Sequence, residues 1–333
     1  MENRKPLPLI SIVIPVYNEA NNIEVLVKEI DTEIEKLKEK YEFEVIFIND
    51  GSTDKTYEII ASMAKSRKDV KLIDLSRNFG NQIAITAGVQ ESGGDAVITM
   101  DGDLQHPPPV IPLLIAEWEN GYEVVEGKRI GTRKQGFLKH ILHSIFFYIM
   151  RHMSEIRLDK NISDFRLLDR KVVGYFKQIS ERKRFVRGVI SWMGFRKSYV
   201  EYQVQQRNYG DTSFSGWKLF RLAVISLTSF SMVPLRVAAV LGTFITIVSS
   251  GLLIFMGYTY FFISEIIFRP IALFTVLNAI MGGLILICLG LISIYVGNMY
   301  EEVRNRPLYI IRERVNFDGD NKKGFSIEDK DHR

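Results

Sequence analysis

Apolar runs and amphipathic stretches alternate along the first 130 residues of the chain. Leu9 to Val16 (LISIVIPV) is a continuous β-branched run, the pattern of a strand buried on both faces. Residues 18–40 then place Ile23, Leu26, Val27, Ile30, Ile34 and Leu37 at helical spacing. The same alternation predicts strands over 43–50, 70–76, 95–101 and 122–130, and helices over 53–68 and 80–92. Strands alternating with helices imply an α/β fold, a mostly parallel Rossmann-like sheet with helices on both faces. Ligands of such sheets gather at the carboxyl ends of the strands.

The pattern changes after Leu235. Residues 237–263 and 271–297 are two long apolar stretches, each exceeding the roughly 20 residues a helix needs to cross the hydrocarbon core. They predict a membrane hairpin with helices over 235–263 and 271–297. Arg221 and Arg236 precede the pair, and Arg304, Arg306, Arg312 and Arg314 follow it. Basic residues favour the cytoplasmic side, so both chain ends are expected there. Residues 137–153 and 216–234 carry apolar positions with basic and aromatic residues between them and read as interfacial helices. The expected organisation is a cytoplasmic catalytic domain over 1–215, a membrane domain over 216–300 and a cytoplasmic tail over 301–333.

Composition alters this little. Of 333 residues, 47% are hydrophobic and 25% charged, and the net charge of +4 suits an anionic membrane surface. No nucleic-acid partner is expected. The one cysteine, Cys288, lies in the second apolar stretch, which excludes an intrachain disulfide and a cysteine-rich zinc site. The N-terminal twenty residues resemble a secretory signal only superficially, because Pro15 interrupts the apolar run and no small-residue cleavage pattern follows.

Candidate chemistry falls at the strand ends: YNE after the first strand, NDGSTD after the second and DGDLQ after the fourth. The first strand is followed by PVYNEANN, without the G-x-G-x-x-G turn of a dinucleotide site, and there is no Walker A sequence. Asp101 and Asp103 would share a face if the backbone is extended, since alternate residues do so. Two close carboxylates repel unless a cation relieves them. Magnesium takes one or two carboxylates, water and substrate phosphates. Gln105 continues the spacing with a neutral oxygen, and Pro107 to Pro109 restrict the exit. No histidine spacing points to a ligand set.

IPVYNE (14–19), NDGSTD (49–54), RNFGNQIAITAG (77–88) and MDGDLQHPP (100–108) together resemble inverting family 2 glycosyltransferases of the GT-A fold. More narrowly, they resemble the polyprenyl-phosphate (dolichol-phosphate) sugar transferases, including bacterial members with a two-helix anchor. The resemblance implies that Pro15, Tyr17, Glu19 and Asp50 line the pocket for base and ribose. It implies that Asp101 contacts the donor, while Asp103 and Gln105 hold Mg²⁺ or Mn²⁺ against the diphosphate. Asp54 reads as a helix cap.

Transfer from a nucleotide-diphosphate sugar breaks the bond between the anomeric carbon and the phosphate oxygen, and a metal stabilises the charge on the leaving group. A lipid phosphate acceptor is already largely ionised, its second pKa being about 6. What remains is to hold two anions in line, which calls for arginines. The resemblance makes GKRIGTRKQGFLKH the acceptor loop, with Arg129 and Arg133 as phosphate contacts. Asp164 in SDFRLLDR is the family's base or acceptor-orienting carboxylate, supported by Arg166, with a helix expected over 167–179. Arg207 opens a segment like the family's R-x-x-G-x-S-x-Y and reaches the diphosphate. Ser213 and Phe214 depart from the lysine and tyrosine of many relatives, which favours UDP over GDP.

The expected activity is inverting transfer of one sugar to polyprenyl phosphate (undecaprenyl or dolichyl) at the cytoplasmic face of a plasma membrane, bacterial by preference. The sugar itself is left open, and the anchored relatives imply self-association into a homo-oligomer. A processive polysaccharide synthase is the first rival, disfavoured because no Q-x-x-R-W segment occurs. A noncatalytic membrane module that binds lipid phosphate or nucleotide sugar is the second.

Overall fold

The computed structural model describes residues 6–130, 161–179, 181, 185–203 and 270–317, with isolated positions between 244 and 258. These residues fall into two compact units, one holding residues 6–130, 161–203 and 306–317, the other holding the long apolar helix.

The first unit is built on eight strands: β1 (Leu9–Val16), β2 (Glu42–Asn49), β3 (Val70–Leu75), β4 (Ala96–Thr99), β5 (Val124–Ile130), β6 (Ile162–Asp169), β7 (Lys197–Gln203) and β8 (Ile311–Val315). They form one sheet in the order β7-β5-β6-β4-β1-β2-β3-β8. Strands β1, β2, β3 and β4 pair in parallel, as expected of an α/β chain. Strand β6 runs antiparallel between β4 and β5, and β8 antiparallel along β3, so the sheet is mixed but mostly parallel.

The helices cover both faces. Helices α1 (Ile23–Leu37), α2 (Thr56–Ser66) and α4 (Ile111–Glu119) pack on Ile10, Ile12, Ile14, Val45 and Phe47 in one apolar core. Each such side chain contributes about 1.5–3 kcal/mol by leaving water. Helix α3 (Asn81–Glu91) lies on the opposite face, where a Cβ on Gly88 would sit 2.3 Å from Val13 Cγ1 and 2.5 Å from Ile48 Cδ1. Glycine there lets the helix approach the sheet closely. Two further helices, α5 (Arg170–Gln178) and α6 (Val186–Trp192), follow β6.

Three differences from the sequence reading bear on the site. The helix expected from residue 167 starts at Arg170, because Phe165, Leu167 and Leu168 are buried in a sheet strand. Its cap is Asp169, which accepts from Lys171 N at 2.8 Å, and Asp164 stands within β6. Residues 311–315, expected within a tail, are the edge strand β8. The strand expected to run to Asp101 ends at Thr99, and Gly102 and Asp103 form a turn, with Leu104 in the left-handed region at φ 62°. Asp101 and Asp103 are therefore placed by a turn rather than by strand alternation.

In the second unit, helix α7 (Pro270–Val303) contains the apolar stretch expected over 271–297. Its window Met281–Tyr300 is long and apolar enough to cross a membrane, and none of that window is buried within the protein. The interfacial stretches 137–153 and 216–234, and nearly all of 235–263, lie outside the described residues, as do Arg133 and Arg207.

Candidate active site

The carboxyl ends of β2, β1 and β4, the start of antiparallel β6 and the end of β5 lie in that order along one rim. At the β1–β2 side the loops are knitted together by short polar contacts. Asn18, left-handed at φ 57°, donates its N–H to Ser52 Oγ at 3.0 Å and accepts from Thr53 N at 2.8 Å. Glu19 N donates to Thr56 Oγ1 at 2.9 Å, and the Glu19 carboxylate accepts from Asn22 Nδ2. Asp54, expected as the cap of α2, instead precedes the cap position, which is Lys55, and accepts from Thr56 N at 3.0 Å. Pro15 closes β1 and Tyr17 is exposed beside it.

Asp50 is buried directly after β2 and accepts from Phe79 N at 2.7 Å and Gly80 N at 2.9 Å. Burial pushes its carboxyl above the usual range despite the two amides and the nearby Arg77. A Cβ on Gly51 would lie 2.5 Å from the Arg77 carbonyl carbon, and Gly51 has φ 68°, so the turn admits only glycine without strain. Asn49 reaches the buried Asp74 at 2.7 Å, and Asp74 in turn meets Arg312 of β8 at 3.2 Å. Arg312 also donates to Ser76 O at 2.8 Å. Sequence reasoning missed this contribution from the far end of the chain.

The acidic turn after β4 is braced by a histidine. His106 is fully buried, stacked 5.0 Å from the Phe165 ring, and its Nδ1 accepts the Asp101 N–H at 2.9 Å. Burial, with the Arg129 charge, holds the imidazole below its usual pKa against the pull of Asp101, and because Nδ1 accepts, the ring proton sits on Nε2. That nitrogen lies 3.6 Å from Asp101 Oδ2. Asp101 itself is pushed upward by desolvation and by the neighbouring Asp164 and Asp103 carboxylates. Asp103 accepts from Gln105 N at 3.1 Å, folding the turn on itself.

Among the described residues no group of three or more His, Cys, Asp or Glu forms a ready metal cage. Two crowded carboxylates and a carboxamide are nonetheless hard oxygen donors that suit magnesium or manganese, which complete their shells with water and substrate phosphate.

On β6, Asp164 is held by three residues. Arg166 Nη2 donates to Oδ1 at 3.0 Å, Gln82 Nε2 donates to Oδ2 at 3.1 Å, and Arg187 Nη2 lies 3.5 Å from Oδ1. Burial works against the ionised carboxyl, but Arg166 and Arg187 outweigh it and hold Asp164 below the usual carboxylate range. Arg166 is fully buried and also faces Glu126 at 3.6 Å. Arg129 on β5 donates from Nε to Tyr202 Oη at 3.2 Å and approaches His106 Nε2 at 3.4 Å. Arg187 and His106 escaped the sequence reading. Arg187 sits in an unremarked basic run, and His106 has no ligand spacing because its partner is a backbone amide.

The rim is thus the carboxyl edge of an α/β sheet, with acids at its centre and arginines beyond them. The chain belongs to glycosyl transferase family 2, whose model matches residues 11–176, and it is a glycosyltransferase. It is 39% identical over 310 residues to the SfII prophage-derived bactoprenol glucosyl transferase of Shigella flexneri, covering 91% of this chain and 97% of that protein. It is 38% identical over 309 residues to an uncharacterized glycosyltransferase of Synechocystis sp., covering 91% and 95%. A Bacillus subtilis uncharacterized glycosyltransferase is 37% identical over 331 residues, covering 96% and 95%.

Proposed function

We propose that the enzyme transfers one sugar, with inversion, from a nucleotide-diphosphate donor to polyprenyl phosphate. The observation that carries this reading is the acidic turn at the centre of the rim, in a chain some of whose relatives, matched over nearly their whole length, are named bactoprenol glucosyl transferases. Pro15, Tyr17, Glu19 and Asp50 receive base and ribose. Asp101 contacts the donor, and Asp103 with Gln105 holds the divalent ion, which offsets charge on the departing diphosphate. Arg207 assists there, and Arg129 and Arg133 meet the acceptor phosphate. The acceptor oxygen forms a bond to the anomeric carbon as the carbon–diphosphate oxygen bond breaks, its electron pair leaving with the nucleoside diphosphate. UDP is the favoured leaving group, and glucose is the first sugar to test.

The same reading places the enzyme at a membrane with its sheet on the cytoplasmic side. Helix α7 exposes Ile285, Ile287, Leu289 and Val296, an apolar surface that water does not stabilise. Strands β7 and β8 belong to one sheet, so residues 203 and 311 share one side of any bilayer, and the chain between them crosses it an even number of times. With α7 as one crossing, 237–263 is the natural second.

Full-length protein in detergent, given UDP-[¹⁴C]glucose, undecaprenyl phosphate and Mg²⁺, is expected to yield an organic-extractable labelled lipid and UDP. Chelator should stop it. Turnover that persists in excess chelator removes the metal from the scheme, and a panel of other labelled nucleotide sugars that all fail with this lipid removes the acceptor.

A further inference from the structure

Arg187, the second residue of α6, has a buried donor that pairs with nothing among the described residues. Its Nε is buried without a hydrogen-bond partner, and its Nη2 stands 3.5 Å from Asp164 Oδ1, beyond good hydrogen-bond distance. Arg166, by contrast, makes a 3.0 Å hydrogen bond to that same oxygen. The Arg187 side chain is 30% exposed, whereas that of Arg166 is 1% exposed. Arg166, whose Nη1 is likewise buried without a partner, is thus enclosed by the fold, whereas Arg187 is reachable from outside it. A buried donor left unpaired costs about 1–3 kcal/mol, and the exposed part of the Arg187 side chain is what an anionic ligand can reach. Gln82 fixes the arrangement: it donates to Asp164 at 3.1 Å and accepts the Val186 N–H at 3.1 Å, tying α6 to the carboxylate.

The order of strands says which anion. Asp50 follows β2, Tyr17 and Glu19 follow β1, and Asp101 and Asp103 follow β4, so a donor laid along these residues ends with its diphosphate at β4. The next strand outward is β6, carrying Asp164 at the same rim, followed by β5 with Arg129. We propose that Arg187 binds the acceptor phosphate, and that Asp164 is a positioning residue which holds the Arg187 guanidinium and removes no proton. Both oxygens of Asp164 already accept hydrogen bonds, from Arg166 and Gln82. The acceptor, with a second phosphate pKa of about 6, needs no base. Its phosphate oxygen attacks the anomeric carbon, and the nucleoside diphosphate departs with the bonding pair, so no proton changes hands.

This assignment rests on the reading that the acceptor is a lipid phosphate, and the test separates the two. Steady-state kinetics of the full-length enzyme are measured with undecaprenyl phosphate and UDP-glucose as the probes, alongside calorimetric titration of UDP with Mg²⁺. Arg187→Ala is expected to raise the KM for undecaprenyl phosphate about 10- to 100-fold. The KM for donor and the UDP affinity should stay within about twofold, since Arg187 then touches neither. Arg187→Lys retains the charge without the fork and should fall between wild type and alanine. It also serves as the readout if the alanine variant fails to fold. An unchanged acceptor KM in a folded Arg187 variant overturns the proposal, as does an equal loss of UDP affinity. Wild-type protein that transfers no sugar to undecaprenyl phosphate from any of a panel of labelled nucleotide sugars overturns the underlying reading first.

Discussion

At the β1–β2 side of the rim, Asp50 has both oxygens filled by backbone amides, and Asn18, Ser52, Thr53 and Thr56 tie neighbouring loops through neutral groups. At the β4–β6 side, Asp101, Asp103 and Asp164 crowd together, and the charges opposing them come from Arg166 and Arg187. The first region is complete before any ligand arrives. The second holds acids that repel one another and a partly exposed guanidinium, and ligands of opposite charge can meet both. In the proposed reaction, which brings two phosphorylated substrates together, the first region would be the cradle for the nucleoside and the second a charged pair of stations whose balance the substrates and metal complete. Preorganisation of that kind supplies transition-state stabilisation without reorganisation during the reaction.

Substitutions can break this contrast at either side. The largest effect is expected from Asp103→Ala, which should lower kcat by about 100-fold or more through loss of charge stabilisation on the leaving diphosphate. Radiolabel transfer at saturating donor, with and without added Mn²⁺, checks it. If activity survives, the charged side does not work through a metal. Asp50→Ala comes next. It leaves the Phe79 and Gly80 amides unpaired, at about 1–3 kcal/mol each, and should raise the donor KM while sparing the acceptor KM. A shift confined to the acceptor KM would mean the two sides are not separate.

A smaller effect is expected at Arg312→Ala. Arg312 reaches the buried Asp74, which supports Asn49 and hence the turn that carries Asp50. The donor KM should rise a few-fold, about as expected for one weakened hydrogen bond, with recovery in Arg312→Lys. No change in donor KM would mean that β8 closes the sheet without serving the pocket.

The smallest kinetic effect belongs to Glu44→Gln, far from the rim. Glu44 is buried and meets Lys71 at 2.7 Å, the Ser11 hydroxyl and Gly93 N at 2.8 Å. Burial opposes its charge, but these partners prevail and lower its pKa. A carboxylate lowered on folding adds stability above its unfolded pKa of about 4.3, and that stability is lost as pH falls through the folded value. Thermal unfolding of Glu44→Gln should therefore depend less steeply on pH below about 4.3, with kinetic constants near wild type. Identical acid-side slopes in the two proteins would refute this role.

The sheet's centre was legible because β1 to β4 are short apolar runs bounded by polar turns, and the first two helices carry 3.6-residue periodicity. Strand β6 was not. Phe165, Leu167 and Leu168 alternate with Asp164 and Arg166, and a buried ion pair looks in sequence like a polar surface. Helix α4 starts at Ile111 just beyond the prolines, with Pro112 in its first turn, where a missing N–H costs nothing. Strand β8 was unreadable for a different reason. IRERV has no apolar face of its own and becomes a strand by pairing with β3 more than two hundred residues earlier.

Sequence alone determined the alternation of elements, the acidic turn after the fourth strand, the family and the apolar stretch that becomes α7. These are local properties, written as composition and period within a dozen or so residues. Tertiary structure decided which charges face one another. It put Gln82, Arg166 and Arg187 around the Asp164 carboxylate, seated His106 under Asp101 and returned Arg312 to the β2–β3 end of the rim. Such contacts join residues far apart in the chain, and their energies depend on distance and burial, which no linear pattern encodes.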